Sequence, residues 1–129
     1  MGRIDLLTLA WMRHFLREFS SEELQTRWWL AKSGEISSFI EATCGLFDDA
    51  GVGPLIDGGN AGELLGEELR GELVELRSAV HALNESQSPE NLIKCQEMEM
   101  VRRLAQSALH HLELRFPEEL KDAPSVDDL

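Results

Sequence analysis

Tyrosine is absent from this chain, β-branched residues are few, and only two cysteines occur among 129 residues. The first two shortages argue against sheet, because strands draw on aromatic and β-branched side chains. Abundant Leu, Glu and Ala favour helix instead. Cys44 and Cys95 are far apart and lack C-x-x-C spacing. Both fall within apolar helical patterns, so they read as buried free thiols in a reducing cytosol. No run reaches the ~18 apolar residues needed to span a membrane. The apolar run 6–12 is short, contains Thr8 and is followed by Arg13 without a small-residue cleavage site, which excludes a signal peptide. Gly2 is followed by Leu rather than Ser or Thr at position 6, so the myristoylation motif fails. The expected location is the cytoplasm.

Positive charge is also scarce. Lys and Arg number 12 against 24 Asp and Glu, a net charge of −12. The imbalance is local. Residues 35–90 hold two basic and twelve acidic groups, residues 117–129 one and five, and the remaining segments are each close to neutral. Such a field repels nucleic acid and anionic membranes and attracts basic partners, and it also keeps a protein soluble.

Motifs that carry chemistry are missing as well. The glycine-rich stretch 50–62 has no Gly-Lys-Ser/Thr and no G-x-G-x-x-G, and Asp48, Asp49 and Asp57 beside it would repel phosphate. Those aspartates lack the alternating oxygen ligands and terminal Glu of a calcium loop. The residues three before His14, His81, His110 and His111 are Trp11, Ser78, Ser107 and Ala108, so no Glu-x-x-His pair of the di-iron type exists. His81 and His111 are placed to meet across a helical hairpin, but two histidines without a third ligand make a poor metal site. The chain is expected to use no cofactor or metal and not to be an enzyme.

The positive content is helical periodicity. Leu69, Leu73, Leu76, Val80 and Leu83 recur at spacings of four, three, four and three, which sets all five on one stripe of a helix over 63–84. Glu63, Glu67, Glu68, Glu72 and Glu75 cover much of its remaining surface. Gly66 and Gly71 weaken this helix unless packing holds it or another backbone approaches closely. Met98, Val101, Ala105, Ala108 and Leu112 form a matching seam in a helix over 89–115, opened by Ser88 as N-cap and Pro89 at the first position. A short turn at 84–88 makes these two an antiparallel hairpin, with large residues facing small ones.

Upstream, Ile4, Leu7, Trp11, Phe15 and Phe19 give a helix over 3–19, flanked by Leu9, Met12 and Leu16, with Arg13, Arg17 and His14 toward water. Ser20 and Glu23 match a capping box, with Phe19 and Leu24 as its hydrophobic staple. The helix it opens, 21–32, carries Trp28 toward the core and Trp29 at the margin. Ser33-Gly34 breaks the chain before a helix over 35–49 with Ile36, Phe39, Ile40, Thr43, Cys44 and Phe47 inward. Residues 50–62 are expected to be irregular, tacked down by Val52, Leu55 and Ile56. The architecture expected is all-α, a single-domain antiparallel bundle of four to five helices over residues 1–116, followed by a flexible acidic tail over 117–129 in which Leu120, Val126 and Leu129 offer docking points.

These features point to a small acidic interaction module, either a monomer or a homodimer, rather than to a nucleic-acid or membrane binder. The favoured class is an immunity protein or antitoxin-like inhibitor that neutralises a basic partner such as a nuclease toxin. Glu63, Glu67, Glu68, Glu72, Glu75, Asp48, Asp49 and Asp57 would supply charge and Trp29 an apolar anchor. The alternatives are a secretion chaperone or adaptor and a structural subunit of a larger complex.

Overall fold

A computed structural model describes residues 4–30, 39–58, 61–84 and 86–123, with the side chains of Asp49, Ala61 and Gly62 set aside. The Ser33-Gly34 break, the start of the helix expected over 35–49, and the tail from 124 onward lie outside the described residues. Within them the chain is all-helical, with nine α-helices and one π-helical turn. Five helices were expected from periodicity. The difference comes from long periodic stretches that split and from a glycine-rich stretch that folds.

Helix α1 (Leu6–Ser20) opens with Asp5, whose side chain accepts from the Leu7 amide at 3.0 Å. Leu9, Met12, Leu16 and Phe19 are fully buried, whereas Leu7 is exposed, so the inner stripe is rotated from the Ile4–Leu7–Trp11–Phe15–Phe19 line. α1 runs one residue beyond the expected boundary. Ser20 closes it by donating to the Arg17 carbonyl, and Ser21 is the N-cap of α2 (Glu22–Trp29), accepting from the Leu24 amide at 3.1 Å. The third helical position is therefore Leu24, and no capping box forms.

The two tryptophans are exchanged relative to expectation. Trp29 is buried against Phe19 and Phe39 with its Nε1 donating to Glu18 at 2.6 Å. Trp28 is half-buried and stacks on the His14 ring, which is consequently no solvated side chain.

α3 (Phe39–Cys44) leads into a π turn (Gly45–Asp49). Gly45 lies flush on the Phe15 ring, where any Cβ would overlap it. The wider turn shows in the Ala50 amide, which donates five residues back to Gly45 at 2.7 Å. Gly51, at φ 81°, ends it in a left-handed conformation suited to glycine. Phe39, Ala42, Leu46 and Phe47 point inward, while Ile40 and Cys44 are exposed and Cys95 is only half-buried. Neither thiol is thus a core residue.

The stretch expected to be irregular contains α4 (Val52–Asp57) and α5 (Ala61–Leu65). Val52, Leu55 and Ile56 hold helical spacing, and Val52 and Ile56 are buried. Pro54 sits in the first turn, where its missing N–H costs nothing.

The helix expected over 63–84 breaks at Gly66, whose φ of 84° and ψ of 149° belong to glycine. α6 (Glu67–His81) follows and buries Leu69, Leu73, Leu76 and Val80. No atom approaches the Cβ position of Gly71, so close backbone packing is not its role.

The last long stretch splits at Cys95 into α7 (Pro89–Lys94) and α8 (Gln96–Arg115). Ser88 caps α7 as read, accepting from Asn91 at 3.2 Å. Met98, Val101, Ala105, Ala108 and Leu112 are buried, and Met100 is exposed. Glu72 meets Ser107 and His111, Glu68 meets His111, and the Glu63 carbonyl meets Arg115. From Glu72 to Glu68 the α6 index falls by four while that on α8 rises by four, from Ser107 to His111, so α6 and α8 are antiparallel. His81 lies at the far end of α6 beside Phe47, 6.2 Å between rings, and does not pair with His111. α9 (Pro117–Asp122) continues from α8 and buries Leu120 against the rest, so the acidic tail is helical at its start.

Many short helices mean many unpaired carbonyls, and long polar side chains satisfy them. At the end of α1, Gln25 Nε2 donates to Glu18 and Phe19 carbonyls (3.1 and 2.9 Å), and Gln106 donates to Ser20 at 3.0 Å. Three arginines serve three of the short helices. Arg102 donates to the Ile93 carbonyl of α7 and, through Nε at 3.0 Å, to Gln25. Arg13 donates to Leu120 of α9 at 3.0 Å, and Arg115 to Glu63 of α5 at 2.8 Å. With Cys95 Sγ donating to the Leu92 carbonyl, the bonds that would continue α7 into α8 are replaced.

Four substitutions test this account. Arg102→Ala strands the Gln25 and Ile93 oxygens in the interior and is expected to cost about 2–4 kcal/mol in urea unfolding. Arg102→Lys recovers little, since one ammonium does not reproduce the guanidinium fork. Gly71→Ala is expected to stabilise by about 0.5–1 kcal/mol, while Gly66→Ala destabilises by about 1–2 kcal/mol.

Candidate functional site

The acidic residues picked out by sequence do not form one patch. Asp48 is exposed on the π turn, adjacent to Phe47 and so near the His81 end of α6. Glu63, Glu67 and Glu68 surround the opposite end, roughly 21 Å away along a helix of this length. Asp57 is already engaged. Arg77 donates to both its oxygens at 3.0 and 3.1 Å, and these hydrogen bonds hold its carboxyl below the ordinary aspartate range. Glu22 is held below the usual range in the same way by its hydrogen bond from Lys94. Trp29, being buried, presents no surface for a partner.

Glu72 also differs from its expected role on the wet face. Only 20% of its side chain is exposed. One carboxylate oxygen accepts from the Ser107 hydroxyl, and the other meets His111 Nδ1 at 2.5 Å. His111 Nε2 lies 3.2 Å from Glu68. Both ring nitrogens thus face carboxylate oxygens. The two nitrogens point away from each other, so these three side chains clasp α6 to α8 rather than converge on a common point. Among the described residues no group of three His, Cys, Asp or Glu is arranged to hold a metal ion.

Beside this clasp runs an open groove of about 400 Å³ lined by Leu65, Gly66, Glu67, Glu68, Leu69, His111, Leu114 and Arg115. Leu65 and Leu69 are its buried floor, and Leu114 is 64% exposed at its edge. A second cleft of about 360 Å³, lined by Ile4, Leu6, Glu63, Leu64, Arg115, Phe116 and Glu119, lies on the other side of Arg115. Arg115 turns its guanidinium to the Glu63 carbonyl and packs its stem near Gly66. The helix break at Gly66 opens this end, because a continuous helix would carry α5 straight on instead of folding it toward Arg115.

Glu67, Glu68, Glu63 and Glu75 are exposed, and of their carboxylates only that of Glu68 lies within 4 Å of a basic side chain, His111, among the described residues. What the arrangement can do chemically is attract cations to a rim and bury aliphatic groups beside it. Sequence reading missed His111, Ser107 and Arg115 as members of this site. The available signal was their spacing of four on α8, which matches Glu68 and Glu72 on an antiparallel α6.

Glu72→Ala is expected to destabilise by about 1–3 kcal/mol, as Ser107 and His111 lose their acceptor, while Glu68→Ala stays within about 0.5 kcal/mol. The Asp57–Arg77 pair is exposed, so its contribution is small, but its pH dependence has a definite sign. A carboxyl that titrates below its unfolded value stabilises above the ordinary range and loses that contribution as pH falls through its folded value. Asp57→Asn is therefore expected to lower Tm slightly at pH 7, with the gap to wild type closing below about pH 3.9. No protein-family model matches the chain, and no curated protein or solved structure matches it either.

Proposed function

We propose that this protein is an acidic interaction module that binds a basic partner protein through the α5–α6 end. The observation that carries this reading is the division of labour among carboxylates. Asp57 and Glu72 are tied to other helices, whereas Glu63, Glu67, Glu68 and Glu75 are exposed, and Glu67 and Glu68 line a groove with an aliphatic floor. Leu65, Leu69 and Leu114 line that groove together, and apolar surface rimmed by charge is found at interaction sites. The favoured class is a single-domain helical inhibitor of the immunity-protein or antitoxin type, acting in the cytoplasm, whose negative end covers the nucleic-acid-binding face of a basic toxin. The groove floor also suits a secretion chaperone or adaptor, which would hold an extended apolar segment with little dependence on charge.

The test is capture of partners from the native host at low salt by wild type and by a Glu67→Lys/Glu68→Lys variant, with circular dichroism confirming the fold. Both positions lie outside the leucine seam, and Glu68 is the exposed member of the clasp, so the Glu72–Ser107 and Glu72–His111 contacts are left in place. A basic protein retained by wild type and lost with the variant is the expected result. Equal retention by both would overturn the reading.

A further inference from the structure

We infer that the groove between the first turn of α6 and the last turns of α8 takes an aliphatic side chain flanked by lysine or arginine, presented by a segment of the partner. The inference rests on the reading above and locates it. The floor is Leu65 and Leu69, and Leu114 stands 64% exposed at the edge. That surface is satisfied by a branched or straight aliphatic group, since burying apolar area is the one gain it offers. The rim is Glu67 and Glu68, both in solvent, with 81% of the Glu68 side chain exposed. The basic side chains at the site already have partners, His111 in the Glu68 and Glu72 carboxylates and Arg115 in the Glu63 carbonyl.

Each simpler occupant leaves part of the site unmatched. An anionic ligand meets two carboxylates. A purely apolar segment leaves those carboxylates uncompensated at its edge. A purely cationic one leaves Leu114 bare. An aliphatic residue with a cation one helical turn or one extended step away meets both surfaces, and the groove volume of about 400 Å³ falls within the range of clefts that bury a ligand. Charge would bring such a segment to this end, and the leucines would slow its departure.

The test uses two fluorescein-labelled synthetic peptides of equal positive charge, an amphipathic leucine–lysine peptide and an oligolysine, titrated into the full chain and read by anisotropy. Wild type is expected to bind the leucine–lysine peptide about tenfold or more tighter than oligolysine. Leu114→Asn, at an exposed position, should erase that preference and leave oligolysine binding unchanged. Glu67→Gln/Glu68→Gln should weaken both peptides, and Glu97→Gln, at the other end of α8, should affect neither. Leucine–lysine binding that is unaltered in Leu114→Asn, or weakened as much by Glu97→Gln as by the rim variant, overturns the inference. If both peptides bind equally and both depend on Glu67 and Glu68, the acidic-end reading stands and the groove assignment falls. If neither binds, the groove assignment falls and capture of the folded partner decides the broader reading.

Discussion

The constraint on which the structure depends is the satisfaction of helix-end carbonyls. A helix of five or six residues leaves most of its carbonyls without an internal partner, and α4, α5, α7 and α9 are all of that length. Arg102, Arg13 and Arg115 each extend from a long helix to the carboxyl end of a short one. A cation there meets the negative end of the helix dipole as well as an unpaired oxygen. Arg102 does most, because its second hydrogen bond reaches Gln25, which itself covers two carbonyls of α1. One guanidinium thereby couples α1, α2, α7 and α8. The apolar stripe of α8 supplies the attraction, and these arginines set where the short helices lie against it.

That use of cations also explains the distribution of charge. The chain has half as many basic as acidic groups, and several of the basic ones are committed to carbonyls or to Asp57 and Glu22. What remains in solvent near the start of α6 is predominantly carboxylate. The negative end is therefore produced by the same economy that closes the fold. Glu72 marks the boundary, since it lies one turn from exposed Glu68 yet faces Ser107 and His111 across the helix interface.

Much of the interior was legible in the sequence. The spacing of Leu69, Leu73, Leu76 and Val80, and of Met98, Val101, Ala105, Ala108 and Leu112, identifies both inner faces, and Ser88-Pro89 marks a helix start. Periodicity does not reveal where a stripe is interrupted by tertiary bonds. Cys95 has no intrinsic tendency to stop a helix, and the break there follows from Arg102 reaching a carbonyl nine residues back. Gly66 was visible as a weak point, but its left-handed φ is a property of the folded chain. The choice between Trp28 and Trp29 turned on Glu18, a buried carboxylate that accepts the Trp29 N–H, and the pattern of apolar residues alone carries no sign of it. For the site, composition identified the charged segment, while the assignment of each carboxylate to inside or outside needed the register of α6 on α8.

The central claim is that the exposed carboxylates at this end draw in a basic partner. The most direct measurement is the rate of association between the full chain and its captured partner as a function of ionic strength, by stopped flow. Steering by this field predicts a rate that falls steeply as salt rises while dissociation changes little. An association rate that stays flat with salt would contradict the claim and leave the charge with no role beyond keeping the surface in water.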